Sequence, residues 1–285
     1  MLPKNHPSKK KVADAIRNAP RLAAGEVAVN SEDWNKRLLI FTPSRGLLRH
    51  EWVQARYGQV IPCNWSLVEF VQFISPYVPI GYQLADAQNM MAKKVVEDDY
   101  EWILYIEDDN VIPPDLFLRV NQYIQDAKVP VVSGLYFTKS QPAEPLIYRG
   151  LGNSYFQDWK LGDLVWADGI PFGCRLEHAG LVKEAWKNSP EYIVGGETTR
   201  RVFEQPNRIW QDPETGNLAS TTGTTDLAWC KRIMDEKLFG KAGFPEYDDM
   251  KYPFLVDTNI FVRHIDQNGR MYPLEIPKRF DPNAS

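Results

Sequence analysis

The chain has 285 residues, 44% of them hydrophobic and 25% charged, a composition that suits a soluble globular protein built as one large α/β unit with additional segments. Its net charge of −4 gives no general reason to expect nucleic acid or an anionic membrane as partner, and no apolar run approaches the ~20 residues of a membrane span. Aromatic residues make up 12%, with nine Trp, which fits a well-filled core or stacking on sugars and bases.

Cys63, Cys174 and Cys230 stand far apart and form no CxxC pair. That spacing argues against a disulfide framework or a zinc site and fits a reducing cytoplasm. The first residues carry Pro3, Pro7, Lys4, Lys9, Lys10 and Lys11 without an apolar h-region, so the expectation is a cytoplasmic protein whose basic arm is solvated. Residues 1–35 read as that arm, 36–270 as one large domain, and 271–285 as a tail.

Order is expected to begin with a buried strand at Arg37–Thr42, ended by the turn Pro43-Ser44-Arg45-Gly46. A helix through His50, Trp52 and Ala55 follows and stops at Gly58, and Gln59–Cys63 reads as a second strand. Leu84, Ala87, Met91 and Val95 fall on one face of a helix. Trp102–Ile106 has the pattern of a strand buried on both faces, and Glu107-Asp108-Asp109 follows where it ends. After Pro113-Pro114 the positions Leu116, Val120, Tyr123 and Ala127 give another amphipathic helix, and Pro130–Tyr136 a strand. This alternation predicts a largely parallel sheet.

Past Lys139 the alternation stops. Prolines and glycines break up an aromatic stretch holding Tyr148, Tyr155, Phe156, Trp159 and Trp166. Asp168–Leu176 precedes an expected helix from about Glu177 to Trp186. Residues 190–223 read as mobile loop, followed by a helix through Leu227, Cys230, Ile233 and Met234. Phe254–Asp257 and Ile260–His264 read as short strands.

Five places carry candidate chemistry. Glu107-Asp108-Asp109 suits a hard divalent cation, because carboxylates at the end of a buried strand need a compensating charge; the alternative is a solvated acidic turn before a helix. His264 closes a late strand with Asp266 close enough to orient its ring, as a metal-bound imidazole requires, or it is an ordinary histidine. Asp226 opens a helix behind a Gly-rich loop, as an N-cap or as a general base. The turn of Thr42, Pro43, Ser44 and Arg45 lies where a nucleotide binds in such sheets, or is a plain turn. Asp168 and Gly173 flank a segment where glycine permits close approach of a ligand or a tight turn.

Taken in order, these segments resemble the GT-A nucleotide-sugar glycosyltransferases, particularly the family 2-like enzymes, over roughly residues 37–268. Leu39–Gly46 looks like their first strand and nucleotide-contacting turn, and Ala87-Gln88-Asn89 stands where the family often has Arg-Asn. Glu107-Asp108-Asp109 looks like the DxD motif with Glu first, and Thr225-Asp226 with Trp229-Cys230 looks like the Glu-Asp motif with Thr replacing Glu. The resemblance implies a GT-A fold with a mixed, mostly parallel sheet, a nucleotide-binding half at 36–136 and an acceptor-side half at 137–270. It implies Mn²⁺ or Mg²⁺ on Asp109 and His264, with Glu107 near the ribose or a metal-bound water. It also implies donor contacts from Thr42, Pro43, Ser44, Arg45, Asn89 and Asp108, and an acceptor side formed by Asp168, Gly173, Trp166 and Trp210. The implied reaction moves a sugar from a nucleotide diphosphate donor to a hydroxyl, inverting at the anomeric carbon with Asp226 as base. The acceptor is left open by the sequence, with a glycan, a protein or a small molecule ahead of hydroxymethylated DNA. The competing readings are a nucleotidyltransferase acting on a sugar phosphate and a non-catalytic sugar- or nucleotide-binding module.

Overall fold

In a computed structural model of the protein, the structure describes residues 38–62, 65, 77–150 and 154–275. The expected arm at 1–35, the residue Cys63 and the end of the expected tail from 276 lie outside them. In chain order the first elements are β1 (Leu38–Phe41), α1 (His50–Tyr57), α2 (Leu84–Glu97), β2 (Trp102–Ile106), β3 (Asn110–Val111), α3 (Leu116–Asp126), β4 (Val131–Leu135), β5 (Leu164–Ala167) and β6 (Cys174–His178). Then come α4 (Gly180–Lys187), β7 (Glu191–Val194), β8 (Glu197–Arg200), β9 (Asn207–Gln211), β10 (Leu218–Thr222), α5 (Thr225–Asp235), α6 (Leu238–Lys241), β11 (Phe254–Phe261), β12 (Arg263–Ile265) and β13 (Met271–Tyr272).

The main sheet has six strands in the order β1-β2-β6-β4-β11-β5. β1, β2, β4 and β11 run one way, while β6 and β5 run against them, so the sheet is mixed and mostly parallel. β2 lies inside the sheet, between β1 and β6, and all five of its residues, Trp102 through Ile106, are buried. Burying each such side chain stabilises the fold by about 1.5–3 kcal/mol, an upper figure for a chain already partly collapsed when unfolded. The helices follow their apolar periods. α2 buries Ala87, Met91 and Val95, and α3 buries Leu116, Phe117, Val120 and Ile124. Tyr123, on the edge of the α3 stripe, instead donates its hydroxyl to Asp257 (3.0 Å), and Ala127 ends that helix in a left-handed conformation.

Several expectations fail for identifiable reasons. Residues 59–62 form no strand, because the Gln59 side chain donates to the Ala55 and Pro113 carbonyls and ties the segment to the start of α3. Residues 174–178 form a strand, so the helix expected from about Glu177 starts only at Gly180. Arg175 and Glu177 alternate onto one face of β6 and pair there, both 0% exposed. A sequence pattern that assigns charges to the surface cannot anticipate this. Residues 190–223, expected as loop, contain two antiparallel hairpins. The first turns at Gly195-Gly196, both at positive φ (60° and 84°), as a two-residue hairpin connection requires. The two late strands are present with a shifted break: β11 runs on to Phe261, with a register shift between Asp257 and Phe261, and the second strand, β12, starts at Arg263.

That irregularity directs the chain out of the main sheet. Val262 N–H still donates to Leu135 O (2.8 Å), but the next residues form β12 in a separate three-stranded sheet ordered β13-β12-β3. Bulges of this kind bend a strand and re-aim its side chains. Met271–Tyr272, at the start of the expected tail, is thus part of the folded domain, with Tyr272 opposite His264. No described helix is long and apolar enough to cross a membrane.

The buried pair of β6 supports α5 as well as the sheet. Glu177 accepts from Trp229 Nε1 (3.0 and 3.1 Å), while Arg175 lies over the Phe172 ring and donates to Cys230 Sγ. Removing one partner leaves an uncompensated buried charge, so Arg175→Met is expected to cost about 3–5 kcal/mol. The double variant Arg175→Met/Glu177→Leu is expected to be less destabilised than that single one. Urea unfolding of the two variants checks this, and equal losses would refute it.

Candidate metal centre

The acidic segment is held by its backbone before its side chains are considered. Glu107 N–H donates to Gly173 O (3.0 Å), and Glu107 O accepts from Trp52 Nε1 (2.9 Å) and from Asn110 N–H (3.1 Å). The strand end therefore turns sharply and sends alternate carboxylates to different places. Asp108 takes the Ser44 hydroxyl and the Arg45 backbone N–H, which ties the Thr42–Gly46 turn to the acidic segment; burial still pushes its pKa up. Glu107 and Asp109 face the other way.

His264 reaches them through the small sheet. β12 pairs antiparallel with β3, with His264 opposite Asn110, and Ile265 N–H donates to Asp109 O (2.8 Å). The imidazole lies edge-on to Tyr136, at 5.2 Å between ring centroids, and its Nδ1 is 2.7 Å from Phe137 O. A carbonyl only accepts, so Nδ1 carries the hydrogen and Nε2 is the nitrogen turned toward Asp109 Oδ1, 3.6 Å away: it donates to that carboxylate when the ring is protonated and offers a lone pair to a metal when the ring is neutral. The orienting acceptor is thus the Phe137 carbonyl. Asp266, expected in that role, instead accepts from Asn268 N–H and Arg270 N–H in the turn between β12 and β13.

Glu107, Asp109 and His264 each offer one ligand atom, and these atoms all lie within 4.8 Å of one another. Two carboxylate oxygens and an imidazole nitrogen suit Mn²⁺ or Mg²⁺. The electrostatics of the cluster suit a bound cation. Burial, followed by the charges of Asp109, Asp226 and Asp108, holds Glu107 well above its usual value. Burial also acts to raise Asp109, but His264 and Lys139 outweigh it and bring its pKa to about 2. Beside them Asn110 donates its Nδ2 to Asp109 Oδ1 (3.0 Å), while its buried Oδ1 has no donor among the described residues. The residues present fit a hard divalent cation.

Asp226 comes to the same place from α5. It sits at the second helical position, behind Thr224 as the capping residue, and takes the Thr224 hydroxyl and the Leu227 N–H (3.2 Å). The N-cap reading therefore fails. Burial raises its pKa, and its charge in turn contributes to raising those of Glu107, Tyr136 and Tyr148. Gly173 N–H donates to Tyr136 Oη (2.6 Å), and a Cβ on Gly173 would stand 2.5 Å from that oxygen and 2.6 Å from Asn110 Nδ2. The glycine is needed for close packing against the floor of the cluster.

The remaining candidates are more dispersed. Asp168 is buried and accepts from Gly150 N–H (2.6 Å), bracing the loop before it. Asn89 is buried with its amide engaged by Phe203 N–H, Phe203 O and Tyr192 Oη, so it anchors the segment after β8. Thr42 is buried at the end of β1 with its backbone N–H on Tyr77 O, and the Arg45 side chain is exposed. Trp166 packs its ring 6.0 Å from Tyr247, and Trp210 lies on β9 opposite Ala219. Sequence reasoning missed Lys139, whose Nζ is 2.5 Å from Asp109 Oδ2, and the Tyr136 hydroxyl. Lys139 stands four residues past β4 with no motif around it, so only its placement reveals it.

No family model matches the sequence, and none of the curated proteins compared with it matches. Solved structures are similar to it at low identity. A197 from STIV is 12% identical at a TM-score of 0.48, covering 84% of this chain and 92% of that one. Residues 1–349 of S. aureus TarS, in complex with UDP, are 11% identical at a TM-score of 0.34, covering 54% of this chain and 50% of that one. A provisionally assigned glucose-1-phosphate thymidylyltransferase from Bacillus anthracis, in complex with a sucrose, is 12% identical at 0.32, covering 54% and 76%. Likenesses at this level carry no argument about chemistry, which rests on the cluster itself.

The two carboxylates that face the cluster have opposite effects on stability in metal-free protein. Asp109, at about 2 against 3.8 unperturbed, stabilises the fold above about pH 4, and that contribution is lost as the pH falls through 2. Asp109→Asn is expected to cost on the order of 1 kcal/mol at neutral pH, since a third of its side chain is exposed and screened. The raised Glu107 opposes folding while ionised and ceases to do so once protonated, so Glu107→Gln is expected to raise the thermal midpoint at pH 7 by a few degrees. Thermal unfolding in chelator checks both signs.

Proposed function

We propose that the protein is a metal-dependent glycosyltransferase of the GT-A type, moving a sugar from a nucleoside diphosphate to an acceptor hydroxyl. The observation that carries this reading is the meeting of Glu107 and Asp109, at the end of the central strand, with His264 from the small sheet. Open α/β sheets bind their ligands at the carboxyl ends of the strands, and the cluster lies there.

Asp109 and His264 would hold Mn²⁺ or Mg²⁺ with Glu107 beside them, and the cation would neutralise charge developing on the leaving diphosphate. The turn of Thr42, Pro43, Ser44 and Arg45, fastened to Asp108, would contact the nucleotide. Asn89 supports the donor side indirectly, through the segment at Phe203. Asp226 accepts the proton of the acceptor hydroxyl, which then attacks in line and inverts the anomeric carbon. Its raised pKa favours that role, because a base is most effective with a pKa near the working pH. Asp168, Gly173, Trp166 and Trp210 would serve the acceptor side, and the β9–β10 hairpin would limit access of water.

With a panel of nucleotide sugars and Mn²⁺, release of nucleoside diphosphate is expected. Release of pyrophosphate from a nucleoside triphosphate and a sugar phosphate would instead make the protein a nucleotidyltransferase. Asp109→Ala is expected to remove both turnover and the stabilisation by Mn²⁺ in a thermal-shift assay; metal-dependent turnover that survives it defeats the metal assignment. Asp226→Asn is expected to slow transfer by at least about 10²-fold while nucleotide binding persists. A product of retained configuration would remove Asp226 from the role of base.

A further inference from the structure

Lys139 is the cation that the structure sets against Asp109, and nothing in the proposed reaction yet uses it. Its Nζ stands 2.5 Å from Asp109 Oδ2, on the carboxylate whose other oxygen faces His264 Nε2. The loop that carries it is built rather than loose. Thr138 N–H donates to Glu144 O (2.9 Å), Glu144 N–H donates to Thr138 Oγ1 (2.9 Å), and Ser140 Oγ donates to Pro142 O (2.8 Å). Two residues earlier, the Phe137 carbonyl fixes the His264 ring. One short segment therefore both orients the nitrogen ligand and delivers a competing positive charge to the oxygen ligand.

A divalent cation on Asp109 and an ammonium on the same carboxylate repel one another at a few ångströms. Partial burial leaves that repulsion weakly screened. The lysine stem is flexible and a third of the side chain is exposed, so the ammonium can move while the loop backbone stays. The anionic groups already present offer it little. Glu107 faces the same cation, and Asp226 is held by the start of its own helix. What arrives with the cation in the proposed reaction is a diphosphate.

We propose that Lys139 is exchanged between two anions: it neutralises Asp109 while the site is empty of donor, and binds a diphosphate oxygen of the donor once Asp109 holds the cation. The inference rests on the metal reading above and deepens it. It makes Lys139 a donor-binding residue and makes cation and donor bind cooperatively, since each removes an obstacle to the other. By linkage the coupling is the same in both directions.

Mn²⁺ titrations followed by electron paramagnetic resonance, with and without UDP, GDP, ADP or dTDP, test it on the full chain. In the unaltered protein Mn²⁺ alone binds weakly and is tightened by the preferred nucleoside diphosphate. In Lys139→Met, Mn²⁺ alone is expected to bind about tenfold tighter, while that tightening largely disappears, within the usual range of such couplings. Lys139→Arg keeps the charge and is expected to retain the coupling. A lysine that merely braced the loop would weaken both kinds of binding when removed, which would overturn the proposal. So would Mn²⁺ affinity and coupling that are unchanged in Lys139→Met. Mn²⁺ that binds neither protein at any nucleotide concentration removes the metal reading, and this inference with it.

Discussion

The pairing of Arg263–Ile265 with Asn110–Val111 is the contact on which the candidate centre depends. It joins a segment that directly follows the central strand to one more than a hundred residues later. Two backbone constraints make it possible: the acidic turn is pinned by Gly173 and Trp52, and the irregular end of β11 sends the chain out of the main sheet. Without the second, His264 would continue along the main sheet and the carboxylates would face solvent as an ordinary acidic turn.

Around that contact the structure separates roles among neighbouring residues of like chemistry. Asp108 serves the turn after β1, Asp109 meets His264 and Lys139, and Glu107 is left half-buried among negative charges. Three carboxylates adjacent in sequence thus differ because a turn at a strand end points consecutive side chains into different surroundings. The same division separates Asp226 from the buried pair beneath it. Arg175 and Glu177 hold Trp229 and Cys230, and through them the helix that places Asp226. Charges in the interior act here as supports for the helix, and the carboxylate at its start remains half-buried.

The candidate centre is built from backbone contacts more than from side-chain packing. Phe137 contributes a carbonyl to His264, Gly173 contributes its N–H to Tyr136 and its carbonyl to Glu107, and Asp109 contributes a carbonyl to Ile265. Such contacts set positions without narrowing side-chain identity, and for that reason they leave little trace in composition or spacing.

What could be read from the sequence was whatever depends on neighbours along the chain. Buried strands such as Trp102–Ile106 declare themselves by continuous apolar character, and α2 and α3 by a repeat that matches the helical turn. The acidic residues at a strand end, Asp226 at the start of a helix and His264 near the end of the domain stood out because their types and order are informative without coordinates. What only the tertiary structure decided depends on residues distant in sequence. It decided that Arg175 and Glu177 pair inside a strand, that 190–223 folds into hairpins, and that Phe137 rather than Asp266 orients His264. It also set Lys139 against Asp109. Each is a pairing across the fold, where the partner's charge or carbonyl, absent from the local sequence, determines what a side chain does.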